Sequence, residues 1–591
     1  MIERKDQKTQ DTWDLSALCR DRKDYEEKLK ALEGRLGELS EYRGRLTESS
    51  DSFHNALENL FSFEKDAETT LHWAYLNYSA DSTNREVMED AGKADMMAAK
   101  INEAESWFSP ELMAADTALV EKYLSEERNK DYRIYIHKAL RMKAHVLSDK
   151  EERIMSLFSA NRSGYQQAFG DANNIDFDFG EVNGEKLTHS TFSKFIRSSN
   201  ESVRKEAYEK LYAEYEKHQH VLARIYEGSI KNDIFVARAR GYNSSLECAL
   251  YPDNVDRSVY TSLIENVHAA FPILHRYYAL RAKLMGREKI QHYDVYTAMV
   301  PEVNSRHTYD EAIALIKEAV KPLGEDYSKI LVKGLTTDRW VDRYENKGKK
   351  SGAFSSGGFV GNPYILTSFE ESVLDSVFTL IHEGGHSMHS YFSSRNNPFP
   401  CYDYTIFEAE VASTFNENLL SAYLMKNVKS KEEEAYLISK KLEDIVGTFF
   451  RQTMFAEYEL LLHEAAENGT PVTIDYMRKT YRSLLEAYFG DKVEFEECSD
   501  MEGLRIPHFY TAFYVYKYAT GIAASIALSK RVLEGGEKEK NDYLTFLKSG
   551  GSRYPIEALK VAGVDMSKSD AVKATAEYFD SLLTRLEELT K

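Results

Sequence analysis

Turn-forming residues are scarce in this chain. Thirty glycines and 11 prolines occupy about 7% of 591 positions, where average usage is roughly 12%. A chain that turns so seldom is built of long helices. Cysteine is scarcer still: Cys19, Cys248, Cys401 and Cys498 stand far apart and form no CxxC pair. That excludes a disulfide-stapled scaffold and reads as reduced thiols in a cytoplasmic protein. No uncharged apolar run approaches the 18 residues of a membrane span, and the first residues, Met1-Ile2-Glu3-Arg4-Lys5, are charged where a secretory leader is apolar. The expectation is a cytoplasmic location and no membrane partner. Positive charge is also short. Against 96 Asp and Glu stand 76 Lys and Arg, a net charge of −20, which repels phosphate backbones and excludes nucleic acid as a partner.

What is present is bulk. The 39 Tyr and 29 Phe, with 42% apolar and 29% charged residues, supply a sizeable core and exclude wholesale disorder. Tyr25, Leu29, Leu32, Leu36 and Leu39 alternate spacings of four and three, the seam of a packed helix. Thr83 to Glu86 and Ser148 to Glu151 match the capping box that opens a helix. Ile175 to Phe179 alternates with period two before Val182-Asn183-Gly184-Glu185, which predicts a small β-hairpin interrupting the helices. Glycine and proline mixed with β-type residues from Ala353 to Thr367 predict a short hairpin or edge strand. The fold class expected is mainly α, with an N-terminal helical region over 1–190 and a second region over 191–591.

One segment is hard to explain as packing: His382-Glu383-Gly384-Gly385-His386 inside an apolar helical pattern, with Ser368 and Glu371 in capping-box register before it. Histidines four apart share a helix face about 5–6 Å apart at Cβ and converge on one ion, while the carboxylate beside them reaches a water. This is the HExxH arrangement of zinc peptidases. Two glycines inside a helix each cost about 1 kcal/mol relative to Ala, so another chain element is expected to approach the bare backbone closely. The metzincin pattern fails, because His389 and Phe392 stand where it requires Gly and His. The third ligand is therefore sought in the next helix. Glu410 is the expected ligand, Glu417, seven residues on along the same stripe, its supporting group, and Glu408 a solvated residue. Downstream, His508, Tyr510, Tyr514, Tyr516 and Tyr518 follow Pro507 in a dense set of hydrogen-bond donors suited to an oxyanion.

Taken together, Thr12-Trp-Asp-Leu-Ser-Ala-Leu18, His145-Val-Leu-Ser-Asp-Lys-Glu-Glu152, Tyr293-Asp-Val-Tyr296, His382-Glu-Gly-Gly-His-Ser-Met-His389, Glu410-Val-Ala-Ser413, Ile506-Pro-His-Phe-Tyr510, Tyr514-Val-Tyr-Lys-Tyr-Ala-Thr-Gly521 and Gly550-Gly-Ser552 resemble the oligoendopeptidase F branch of the thimet-type M3 zinc oligopeptidases over nearly the whole chain. The resemblance implies two helical lobes flanking a deep channel that admits short peptides, and one zinc ion per chain. It also implies His382, His386 and Glu410 as ligands and Glu383 as general base. His508 with Tyr516, or else Tyr514, is implied as the oxyanion donor set. Gly357, Gly358, Phe359 and Tyr510 are the expected substrate contacts, within an edge strand over 357–367 that pairs with the substrate main chain. His389 and Glu417 are expected behind the ligands. The activity implied is a zinc endopeptidase of short unstructured peptides, a monomer or small homo-oligomer. Two rivals stand beside it. A zinc dipeptidyl carboxypeptidase or carboxypeptidase would use a cation such as Arg505 or Lys517 to clamp the C-terminus, and a helical scaffold would carry the motif without metal.

Overall fold

The structure, a computed structural model, describes residues 2–303 and 306–591. The chain is mainly α, with strands of only two or three residues. It forms two compact units, each assembled from three stretches. Met1–Ala144, Asn304–Tyr423 and Leu528–Val564 make the first; His145–Val303, Leu424–Ala527 and Asp565–Lys591 make the second. This spatial division differs from a single cut near residue 190. Among the described residues, no helix is long and apolar enough to cross a membrane.

In the first unit, helix α1 (Arg22–Arg35) is capped by Asp21 and buries Tyr25 and Leu32, and a 3-10 turn continues the stripe to Leu39. The long α2 (Ser50–Ala80) lies beside α3 (Arg85–Glu105), and Phe53, Leu57 and Phe61 of α2 share a core with Met97, Ile101 and Trp107. The cap of α3 falls one residue past the expected Thr83. The Asn84 side chain accepts the Glu86 and Val87 N–H groups, while the Thr83 hydroxyl is spent on Asp81.

In the second unit, the Ser148 to Glu151 capping box opens a helix over Asp149–Asp171 as expected. The alternating stretch 175–179 is not a strand. A π-turn covers Ala172–Asp176, and Phe177 and Phe179 pack edge and face against Tyr215, so the period of two reflects aromatic packing. The hairpin follows immediately, with β1 (Glu181–Val182) antiparallel to β2 (Glu185–Lys186) across Asn183 and Gly184, both at positive φ as a two-residue turn requires. Tyr208, Tyr212, Tyr226 and Tyr260 lie fully buried, and Arg204 meets Asp294 at 2.6 Å inside the core.

The first unit also carries a three-stranded sheet. Strands β3 (Val341–Asp342), β4 (Phe354–Ser356) and β5 (Tyr364–Leu366) lie in the order β3-β5-β4, with β5 parallel to β3 and antiparallel to β4. Trp13, Leu15 and Leu18 pack on Leu76, Tyr364 and Leu366, which seats the N-terminal stretch on the sheet. Buried Asp342 is neutralised by Lys349 at 2.8 Å and by Arg4. The single edge strand expected over 357–367 is thus corrected: the hairpin runs over 354–366, β5 is central, and β4 is the edge. Gly357 to Asn362 form the linking loop, and Phe359 donates its N–H to Glu68 at 2.7 Å, so that N–H is not available for strand pairing.

Candidate active site

Helix α4 (Leu374–Asn396) carries the HExxH residues. Its start is later than the Ser368 and Glu371 pair implies, because Ser368 bonds Glu345, Glu371 pairs with Arg306, and Val373 precedes the helix without a side-chain cap. Helix α5 (Ile406–Lys426) packs across it. A Cβ on Gly385 would stand 2.6 Å from the Ala412 carbonyl oxygen and 2.7 Å from Ser413 Cα, whereas one on Gly384 would meet only a Leu331 methyl at 3.1 Å. Gly385 is therefore the bare position that admits a backbone, and the close crossing brings Glu410 over the histidines.

Glu410 Oε2 lies 3.8 Å from His382 Nε2 and 4.0 Å from His386 Nε2, and one donor atom from each residue falls within 4.8 Å of the others. Tetrahedral zinc with bonds of roughly 2.0–2.1 Å wants donors about 3.3 Å apart, so small side-chain movements close the set. Two imidazoles and a carboxylate are a donor set that fits a borderline dication. Glu417 Oε1 holds His382 Nδ1 at 2.5 Å, which fixes the ring and leaves Nε2 directed at the cluster. Burial pulls the His382 imidazole down, but the hydrogen-bonded Glu417 carboxylate and the nearby Glu383 and Glu410 outweigh it and hold the ring up at about 9. Burial, with His382 and His389 nearby, lowers His386 well below its ordinary value, so its imidazole is neutral.

Glu383 is 6% exposed, and burial pushes its carboxyl up to about 7. Its hydrogen-bond partner is informative. Ser355 of β4 stands opposite Ile365, whose own N–H goes to Trp340 on the far side. The Ser355 N–H and carbonyl therefore turn to the free edge of the sheet, and the N–H is donated to Glu383. The sheet edge and the carboxyl beside the His382, His386 and Glu410 donors meet at one residue. The Ser355 hydroxyl meets Ser387 of α4 at 2.8 Å.

Other expected residues take different places. His389 is 1% exposed, stacks on Tyr404 with ring centroids 3.6 Å apart, and is pushed down to about 3 by burial; it is a neutral core residue that reaches His386 only through Tyr404, whose hydroxyl donates to the His386 carbonyl at 3.4 Å. Glu408 is buried, not solvated, and its carboxylate accepts the Thr405 N–H at the start of α5.

In the second unit Pro507 opens only a 3-10 turn, and helix α7 (Tyr516–Glu534) begins after Phe513 adopts φ +57. The Phe513 N–H is anchored by buried Glu459 of α6 (Arg451–Glu467) at 3.0 Å. This bend sorts the tyrosines. Tyr516 is 0% exposed and packs on Tyr260 with centroids 5.1 Å apart, so the expected first choice of oxyanion donor is a core residue. Exposed His508 lies instead against Tyr514 and Tyr518, at 6.1 and 6.0 Å between centroids. Tyr518 belongs to the donor-rich cluster but was not singled out as an oxyanion donor, and its spacing of four from Tyr514 was the signal that could have done so. Tyr510 stacks on Phe169 at 4.7 Å, which is packing. Arg505 is committed to Glu502 and Lys517 to Asp253 at 2.7 Å, so neither cation considered for a C-terminal clamp is unengaged.

A mainly α body with an HExxH helix, a carboxylate from the next helix and a sheet edge at the motif glutamate defines a metallopeptidase. Comparison with known proteins makes the class particular. Residues 195–578 match the sequence description of Peptidase family M3 and residues 111–179 that of Oligopeptidase F, so the chain belongs to peptidase family M3 and is a metalloendopeptidase. It is 38% identical to an oligoendopeptidase F homolog of Borreliella burgdorferi over the full length of both chains. It is 36% identical to oligopeptidase PepF of Bacillus subtilis over 99% of this chain and 88% of that one. A solved putative peptidase of Chlamydophila abortus superposes with TM-score 0.93 over all of both chains at 34% identity. Oligoendopeptidase-F of Enterococcus faecium does so with TM-score 0.74 over 96% and 99% at 32% identity.

Proposed function

We propose that this chain is a zinc endopeptidase of short unstructured peptides, with His382, His386 and Glu410 as the metal ligands and Glu383 as the general base. The observation that carries the reading is the meeting of three donor atoms within 4.8 Å with a buried carboxyl that accepts the outward N–H of the edge strand β4. His382, His386 and Glu410 would hold the zinc, which would supply a Lewis acid to acidify water and polarise the scissile carbonyl. Glu383 takes the proton of the attacking water and passes it to the leaving amine. Glu417 keeps His382 in the tautomer that offers Nε2.

The free edge of β4 receives the peptide main chain. Strand addition reads backbone and not side chain, which accounts for tolerance of sequence and requires a substrate with an unpaired strand, hence unstructured peptides. His508 with Tyr514, or with Tyr518, is the donor set we assign to the oxyanion, in place of Tyr516. A cytoplasmic location remains our reading of the cysteine-poor sequence.

The test is Glu383→Gln. Zinc measured by elemental analysis is expected to stay at one per chain while kcat/KM on a short internally cleaved peptide falls by about a thousandfold or more. Near-normal cleavage by this variant, or cleavage by the parent protein that a chelator leaves untouched, would refute the assignment.

A further inference from the structure

A cavity of about 710 Å³ opens between α2 and α3 where β4 ends, bordered by Ser356 and Gly358. The strand has two faces. Ser355 faces α4 through Ser387, while Phe354 and Ser356 face α2, the first against Tyr75 with centroids 6.0 Å apart and the second with its hydroxyl 2.8 Å from His72 Nε2. The cavity lies on the α2 face. Directly opposed residues of paired strands point their side chains to the same face. A peptide laid on the β4 edge with its cut bond at Ser355 and Glu383 therefore turns alternate side chains into this cavity, beginning with the residue opposite Ser356.

The lining says what those side chains are. Tyr75, Tyr78 and Met88 present their rings and thioether at 44%, 42% and 51% exposure. The two inner titratable groups are already used: Glu68 binds the Tyr402 hydroxyl and the Phe359 N–H, and His72 binds Ser356 and is pushed down to about 4 by burial, so it is neutral. Asp95 sits exposed at the rim. What remains for a ligand is aromatic and apolar surface. The wall contributed by α3 includes Gly92, in the helix interior, where an added Cβ would meet nothing within 4 Å. No packing demands glycine there, although it costs the helix about 1 kcal/mol relative to Ala. Its effect is to leave the cavity wall bare.

We propose that the cavity between α2 and α3 is a side-chain subsite, which takes a large aromatic or apolar side chain of the bound peptide at a fixed register from the cut bond. The inference rests on the peptidase reading above and adds the substrate preference to it. The experiment uses one cleavable peptide in which Phe replaces Ala at each position flanking the bond in turn, with kcat/KM measured for the parent protein, Gly92→Trp and Tyr78→Ala. The parent is expected to favour Phe by about tenfold at a position facing the cavity, the scale of one large apolar group seated in a pocket. Gly92→Trp, which fills the cavity, brings that Phe to Ala ratio close to 1, and Tyr78→Ala reduces it by a smaller factor. Because the readout is a ratio within each protein, a change in absolute rate does not affect it, and Tyr78→Ala stands alone should the tryptophan variant fail to fold. A ratio near 1 at every position in the parent, or an unchanged preference in the folded variants, overturns the subsite while leaving the peptidase intact. No metal-dependent cleavage by the parent overturns both.

Discussion

At the scale of single residues, Gly385 sets how closely α5 crosses α4 and so whether Glu410 reaches His382 and His386. Its missing side chain is what lets the backbone at Ala412 and Ser413 cross α4. The added methyl of Gly385→Ala would meet backbone, which cannot swing aside as a side chain can. We expect a loss of about 1–3 kcal/mol of stability, together with weaker zinc retention, because Glu410 lies within two residues of the displaced stretch. Thermal denaturation and titration against a metal indicator measure the two effects; wild-type zinc affinity in the alanine variant would contradict the role given to the glycine. Glu417→Gln tests the neighbouring support. Removing the carboxylate charge on His382 Nδ1 is expected to lower zinc affinity by about 10- to 100-fold, with the fold unchanged by circular dichroism. The Gly385 crossing was legible in the sequence because a helix interior reports its own cost locally. His389 was not, since the spacing of three that brings it near His386 also turns it onto Tyr404.

At the scale of elements, the helices were read well and their ends less well. Apolar period, a helix-long measure, found α1, α4 and α5. Caps depend on which of several competing hydroxyls and carboxylates wins, and at Ser368, Glu371 and Thr83 the winner lay far away in sequence or one residue on. The burial of Tyr516 has the same origin. A left-handed Phe513, held by a glutamate 54 residues earlier, delays α7 and turns Tyr514 and Tyr518 to one side, and nothing in the residues around Phe513 announces a positive φ that glycine would ordinarily mark. Since this bend sorts the tyrosines, Tyr516→Phe is expected to leave kcat within about twofold, whereas His508→Ala is expected to cost about 100-fold or more if its donor serves the oxyanion. Initial rates at saturating peptide decide the pair.

At the scale of the whole molecule, the buried charges set the response to acid. Glu502 is 1% exposed among Arg451, Arg505 and Tyr481. Burial alone would raise its carboxyl, but the two guanidiniums, with His292 and the Tyr481 hydroxyl, hold it down at about 2 against an ordinary 4.5. A carboxyl lowered in the folded state contributes stability that is complete above its unfolded value and lost as pH falls through the folded one. Glu502→Gln leaves two partly buried cations under-compensated and is expected to cost about 2–4 kcal/mol at pH 7, below the full penalty of a wholly buried pair. The gap from wild type should narrow between pH 4.5 and pH 2. Urea denaturation of both proteins across that range measures it, and a gap independent of pH would show that Glu502 acts through packing alone. The sequence supported the helical class and the acidic surface, but it could not announce how stretches distant along the chain assemble, because that pairing depends on contacts hundreds of residues apart.

The interleaving of the two units has a consequence for biosynthesis. The first unit, which holds the histidines, is completed only by Leu528–Val564. While the ribosome is still translating the middle of the message, neither unit has its full set of segments, and apolar faces of α4 and α5 wait for partners not yet made. Nascent chains stalled before that last stretch emerges should be protease-sensitive and recruit holding chaperones, and no contiguous truncation should yield either unit as a stable product.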